Sequence, residues 1–190
     1  MTRHPRADLA KVRTISIRAR KSKVNPRLFA APFNGSRDSF AAFVKGLPDI
    51  LVARDLRVLV RDMLRARRRG KPVILMMGAH VIKVGLAPVL IDLMERGVIT
   101  AVAMNSAASI HDCETALWGQ TSEDVAENML DGRFGMARET GEFINGTLAE
   151  AARGTDLGYG EALGLRLQQV KAKYAAVSVL AAARRIGIPA

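Results

Sequence analysis

The sequence predicts an α/β fold: a Rossmann-like parallel sheet with helices on both faces and a helix-rich second half. Two apolar runs of strand length, at residues 73–77 and 98–104, enclose a segment with helical signals. Pro88 suits a first helical turn, and Gly97 suits a C-terminal cap. A strand, a helix and a second strand within about 35 residues form a βαβ crossover, whose strands run parallel. The unbroken apolar run at 73–77 also predicts a strand that is buried on both faces.

Helical patterns account for most of the remaining chain. Residues 54–69 place apolar side chains at steps of three and four, and arginines crowd the last turn, where cations suit the negative end of a helix. A short helix that carries Phe40 and Phe43 precedes it. Further helices are predicted at 109–117, 121–130, 136–153, 158–170 and 174–186, the second of them capped at Thr121.

Length and composition predict the domain organisation. With 190 residues, 49% of them hydrophobic, the chain can bury one core. Residues 1–27 are basic and show little periodicity, so we expect an extended or partly disordered lead-in with at most a short strand at 14–17. Residues 28–190 are predicted to form a single α/β domain. Because residues 188–190 would begin another parallel strand, we expect that domain to be incomplete at its C-terminal end.

The positive charge is concentrated in the first part of the chain. The net charge is +11, and residues 1–71 hold 19 Lys and Arg against 5 Asp and Glu. A nucleic-acid site would add repeated aromatic side chains or a recognisable binding module, and the sequence contains neither. The charge therefore indicates a solvated, arginine-rich face rather than a nucleic-acid partner.

The expected location is the cytoplasm. Cys113 is the single cysteine, so no internal disulfide can form, and the first residues are not followed by the apolar core of a secretory signal. No membrane span is expected, because every apolar run is far shorter than the roughly 20 residues needed to cross a bilayer.

The ends of the two predicted strands are the candidate ligand site. Ligands of open α/β sheets bind beyond the carboxyl ends of the strands, where loops and helix N-termini converge. The sequence contains neither the dinucleotide pattern G-x-G-x-x-G nor the phosphate-binding P-loop. It also contains none of the recognised zinc patterns, so we expect no metal site. The candidate cofactor contacts are Gly78, Ala79 and His80 after the first strand, and Asn105, Ser106, Ala107, His111, Asp112 and Glu114 after the second.

Each of these residues also has a purely structural interpretation. His80 could contact a ribose or phosphate, or only hydrogen-bond the backbone. Asn105 and Ser106 could bind a cofactor or cap the next helix. Asp112 could contact a ribose, or act as a carboxylate at the start of a helix, where the helix dipole stabilises it. The sequence leaves these alternatives open.

Residues 78–86 and 98–114 resemble the NAD-binding region of the deoxyhypusine synthase family. In that family a strand leads into a Thr-Thr-Ala-Gly-Gly turn and then into an acidic cluster. Here the turn is at residues 104–108, and the cluster is at 111–114. Residues 178–189 resemble the family's helix and turn before a late strand of the sheet.

This resemblance implies an NAD cofactor, a small-molecule substrate such as a polyamine, and a homo-oligomer with shared active sites. The family's reactive lysine lies beyond the late strand, and none of Lys83, Lys171 and Lys173 matches its position. The catalytic residues are therefore unknown, and we expect a truncated deoxyhypusine synthase-like protein. Ala107 and Ala108 stand where the family has glycines, which adds methyl groups where cofactor and backbone would touch.

A second hypothesis comes from a different class of function. The chain could be a noncatalytic interaction module whose basic first 71 residues bind an acidic partner or RNA.

Overall fold

The structure, a computed structural model, describes His4 and residues 6–190. The chain divides into two units, Met1–Val60 and Arg61–Ala190. Strands β1 and β2 span Ile74–Met77 and Ala101–Met104. The helices are α1 Phe40–Gly46, α2 Leu51–Arg68, α3 Ala79–Lys83, α4 Ala87–Glu95, α5 Ser106–Trp118, α6 Val125–Met129, α7 Arg138–Gly154, α8 Tyr159–Gln169 and α9 Val179–Ile186. Short 3-10 turns span Leu9–Lys11, Pro26–Leu28 and Ala175–Val177.

The first unit is held together around Arg57. The last carbonyl groups of a helix have no partner within the helix. Beyond the end of α1, the Arg57 guanidinium donates to the carbonyl oxygens of Leu47 and Pro48, at 3.0 and 3.2 Å, and to the Asp49 carboxylate at 2.8 Å. Residues 14–17, where at most a short strand was predicted, contain none. Those residues are exposed and form no strand, because a strand needs a neighbouring strand to pair its backbone groups.

The second unit contains the predicted βαβ crossover. Strands β1 and β2 pair in parallel, with Ile74 opposite Ala101 and Met77 opposite Met104. Helices α3 and α4 lie between them in the chain. The mixed α/β class and the parallel pairing are therefore confirmed, as a small two-stranded sheet in a unit that is mostly helical.

Only one face of this sheet is covered. Leu75 and Val102 lie opposite each other and pack into a core with apolar side chains of α4 and α9. On the other face, Ile74 and Met76 of β1 are 59% and 80% exposed. The prediction of a strand buried on both faces is wrong, because an unbroken apolar run is equally compatible with one covered face. The predicted helices on both faces are likewise not confirmed.

The chain end packs against the second strand. The Val102 backbone N–H donates to the Pro189 carbonyl oxygen at 2.9 Å. The single helix predicted at 174–186 is instead a 3-10 turn followed by α9. Ser178 separates the two because its hydroxyl oxygen accepts from the Ala181 N–H at 3.0 Å and so caps α9.

No helix in the described residues is both long enough and apolar enough to cross a membrane. The cytoplasmic location, the self-association and the domain boundary at residue 28 stay predictions.

Two glycines of α8 allow a close approach, to α9 at Gly164 and to the Ala190 backbone at Gly160. A Cβ atom at Gly164 would lie 2.5 Å from the Leu180 carbonyl oxygen, and one at Gly160 would lie 2.4 Å from the Ala190 carbonyl oxygen. Both obstacles are backbone atoms, which cannot turn aside as a flexible side chain can. Glycine is therefore required at Gly164 for α8 and α9 to pack, and at Gly160 for the Ala190 backbone to approach α8.

We expect Gly164→Ala to lower the free energy of unfolding by about 1–3 kcal/mol, because the methyl group forces the two helices apart. Gly146→Ala is the matched control: Gly146 lies in α7, where a Cβ atom meets nothing within 4 Å. The control should gain about 0.5–1 kcal/mol from the better helix propensity of alanine. Urea denaturation measures both. Equal stability of the two variants would contradict the close packing of α8 and α9.

Candidate functional site

The two strand ends are neighbours, as the sequence predicted. A Cβ atom at Gly78 would lie 3.7 Å from the Asn105 amide nitrogen Nδ2. The Asn105 side-chain oxygen accepts from the Ala108 N–H at 3.0 Å, and so caps α5. This cap explains why α5 begins at Ser106, three residues earlier than expected.

A cavity of about 1170 Å³ runs along one side of α5. We call it the α5 cavity. On its opposite wall, α7 contributes Thr140, Ile144 and Leu148, which are spaced by one helical turn. The remaining wall comes from residues 120–125 and 134–137, with Lys83 and Tyr159 at other points of the lining. Helix α5 itself contributes Ser106, Ala107, Ile110, His111, Glu114 and Trp118, a stripe about 18 Å long at 1.5 Å per residue.

A chain of hydrogen bonds connects the polar residues of the cavity. His111 Nδ1 lies 2.6 Å from Thr121 Oγ1. The Thr121 hydroxyl donates to Glu114 Oε2, and the Thr140 hydroxyl donates to Glu114 Oε1 at 3.0 Å. The side chains of His111 and Glu114 are only 18% and 17% exposed. The network is therefore largely shielded from bulk water. Hydrogen bonds in such shielded surroundings are electrostatically stronger than in water.

The second ring nitrogen of His111 is accessible. Within the described part of the chain, no group is hydrogen-bonded to His111 Nε2, whereas every fully buried side-chain nitrogen or oxygen has a partner. Nε2 is therefore reached by solvent, in a side chain that lines the cavity.

Tyr159 brings a second hydroxyl to the cavity. Its OH lies 2.8 Å from Oγ of the buried Ser109, which in turn donates to the Ser106 carbonyl oxygen at 2.8 Å. Because the Ser109 hydrogen is used in that bond, the Tyr159 hydroxyl is the donor to Ser109. The oxygen of Tyr159 keeps capacity to accept a hydrogen bond from a bound molecule.

Asp112 lies on the opposite side of α5 and has a structural role. Its carboxylate accepts from the Ser178 hydroxyl at 2.6 Å and from the Val179 and Leu180 N–H groups at 2.8 and 3.1 Å. It therefore caps α9 across the core. Burial raises the pKa of Asp112 above its ordinary value, and the three donors oppose that shift.

Cys113 is not a candidate nucleophile. The thiol is buried, and burial, together with the neighbouring Asp112 and Glu114 carboxylates, raises its pKa. The thiolate that nucleophilic chemistry needs is therefore disfavoured.

The structure brings together only part of the predicted set. Ser106, Ala107, His111 and Glu114 line the α5 cavity. The others lie elsewhere: Gly78, Ala79 and the exposed His80 follow β1, Asn105 caps α5, and Asp112 caps α9.

Sequence reasoning missed Thr121, Thr140, Trp118 and Tyr159. Thr121 was predicted as the cap of a helix over 121–130, but α6 begins at Val125, and Asp124 caps it by accepting from the Glu127 N–H at 3.0 Å. The Thr121 hydroxyl is therefore available to hydrogen-bond His111 and Glu114. One signal was present: His111 and Glu114 are three residues apart, which places them on one face of a helix.

Comparisons with known proteins assign no family. No family model and no curated protein matches the sequence. A solved structure described as a conserved LOR/SDH protein from Methanococcus maripaludis S2 is similar, with a TM-score of 0.45 and 18% identity. The match covers 90% of this chain and 45% of that one, so this chain spans less than half the length of that protein.

The resemblance to the deoxyhypusine synthase family is wrong. A structural neighbour is described as an LOR/SDH protein, and no curated protein, a deoxyhypusine synthase included, matches the sequence. The predicted function fails with it, and the alternative of a basic interaction module has no support either. The reason is that a strand, a small-residue turn, a helix and a second strand are features of many α/β families, so they do not distinguish among them.

We expect Asp112→Asn to lower the free energy of unfolding by about 1–3 kcal/mol, because buried donors lose a carboxylate acceptor. Asp92→Asn is the control. Its exposed carboxylate pairs, among the described residues, with Arg96 alone, and the change should stay within about 0.5 kcal/mol. Urea denaturation measures both variants.

The cost of Asp112→Asn should also depend on pH. The folded-state pKa of Asp112 is raised, so the folded protein favours the protonated carboxyl group. The contribution of Asp112 to the free energy of unfolding is therefore fully present below about pH 4, and it is lost as the pH rises through the folded-state pKa. The difference between wild type and Asp112→Asn should therefore shrink with rising pH. A difference that grows instead would show that the donors outweigh burial.

Proposed function

We propose that the α5 cavity binds a small organic molecule and that His111 exchanges a proton with it through Nε2. The observation that carries the proposal is the state of His111: one ring nitrogen is fixed in a hydrogen-bond chain, while the other is unpartnered among the described residues, in a side chain that lines the cavity. A histidine in this state can act as a general acid or base.

The size and lining of the cavity support ligand binding. Small-molecule sites enclose about 300–1,000 Å³ and combine apolar walls with a few polar groups. The α5 cavity, at about 1170 Å³, is of that order. Ile110 and Ile144 form part of its apolar wall, and Trp118, which is 42% exposed, adds a large ring. The polar groups are concentrated at His111 and its partners.

NAD is the cofactor to test first. Ser106 and Ala107 line the cavity in the first turn of α5, where backbone N–H groups suit a phosphate. The end of β1 is adjacent, with Gly78 beside Asn105. Dinucleotides bind at the carboxyl ends of parallel strands in Rossmann-like sheets. We therefore propose the Rossmann-like character of this sheet together with NAD binding.

Anilinonaphthalene sulfonate, a dye that fluoresces on apolar binding, tests the cavity itself. Trp118 is the only tryptophan of the chain, so energy transfer from it reports dye bound nearby. We expect Gly141→Phe, which places a ring in the cavity, to weaken dye binding at least about tenfold, or 1.4 kcal/mol.

Gly146→Phe is the matched control for this experiment. Gly146 lies on the same helix, is exposed, and is not part of the cavity lining. Dye binding should be unchanged in that variant. Equal binding to both variants would mean that the dye occupies another surface, and would contradict the proposal.

The NAD proposal has a separate test. Titration with NAD⁺ or NADH should change Trp118 fluorescence saturably, and Gly141→Phe should abolish the change. No change at millimolar cofactor would exclude NAD and leave the cavity open to a different class of molecule.

A further inference from the structure

We propose that Thr121 is a positioning residue that fixes the proton of His111 on Nδ1, so that Nε2 is the nitrogen able to accept a proton. The inference rests on the proposed function, because it specifies how His111 is prepared for a ligand. Thr121 acts through His111 and Glu114 and need not touch the ligand.

The argument begins with the single hydrogen of the Thr121 hydroxyl. An ionised carboxylate accepts hydrogen bonds and cannot donate them. The hydroxyl therefore gives its hydrogen to Glu114 Oε2. It has none left for His111, so the 2.6 Å contact with Nδ1 requires the hydrogen to be on the ring nitrogen.

This arrangement determines the tautomer. A neutral imidazole carries one hydrogen, and if that hydrogen is on Nδ1, the lone pair is on Nε2. The direct distance from His111 Nδ1 to Glu114 Oε2 is 3.6 Å, which is too long for a hydrogen bond. The carboxylate therefore orients the ring only through the Thr121 hydroxyl.

The surroundings of Thr121 hold this hydroxyl in place. Thr140 donates to the other carboxylate oxygen of Glu114, so the carboxylate is held from two sides. Gly119 and Ser122, on either side of Thr121, both have left-handed backbone, with φ of 73° and 67°. Ser122 is not a glycine, so its backbone is strained, and such strain tends to occur at functional sites.

The same chain of groups accounts for the proton transfer. A ligand X–H gives its proton to Nε2, and the electron pair of the X–H bond stays on the ligand. The ring then holds a hydrogen on each nitrogen and is positively charged. The Glu114 carboxylate, connected through Thr121, stabilises that charge.

Nitrogen-15 NMR of the ligand-free protein tests the inference directly. The chain has only three histidines, and His111→Gln and His80→Gln assign their signals. At a pH where the ring is neutral, we expect wild-type His111 to be protonated at Nδ1 and unprotonated at Nε2. Thr121→Val should reverse or mix the two states, and Thr121→Ser should restore the wild-type pattern.

Thr140→Val is the matched control, because it also removes a hydroxyl that donates to Glu114 but does not touch His111. In Thr140→Val, the His111 tautomer should remain as in wild type. A wild-type ring protonated at Nε2, or an unchanged tautomer in folded Thr121→Val, would overturn the inference. If Thr121→Val does not fold, the wild-type and Thr121→Ser spectra still decide, because both must show the Nδ1–H form.

The outcome is separable from that of the proposed function. The tautomer is measured without ligand, so an Nδ1–H ring in a protein that binds no dye would refute only the proposed function. A protein that binds the dye with the opposite tautomer would refute only the role of Thr121.

Discussion

The Asp112 carboxylate is the interaction on which the second unit depends. It joins the middle of α5 to the first turn of α9, 66 to 68 residues further along the chain. The residues that it caps, Val179 and Leu180, are buried in two different apolar clusters. A buried carboxylate is costly unless it is hydrogen-bonded, and three donors meet that requirement here. The position of α5 is thereby fixed against the core, and with it the wall of the cavity.

Helix α5 divides its two sides between stability and chemistry. Ala108, Cys113 and Ala116 are buried and pack into the core, together with Asp112. The other side carries His111 and the remaining cavity residues. Sites built on rigid elements hold their side chains more precisely than sites built on loops. Here α5 supplies two members of the hydrogen-bond chain, α7 supplies Thr140, and a loop supplies Thr121.

Much of the fold could be predicted from periodicity and end signals. The parallel βαβ crossover followed from two apolar runs separated by helical signals, and the helix positions were approximately right. The site could be predicted only in part. Spacing along one helix places His111 and Glu114 together, but Thr121 and Thr140 join them through tertiary contacts 7 to 26 residues away in sequence. Family membership was mistaken because the matching features were general to α/β proteins.

The two-sided use of α5 has a consequence for sequence variation. A helix with one free side tolerates most polar substitutions there, as α2 should, since none of its residues is buried. Few positions of α5 have that freedom, because a change on one side disturbs the core and a change on the other disturbs the cavity. Sequences that diverge from this one should therefore accumulate replacements in α2 long before they do so in α5.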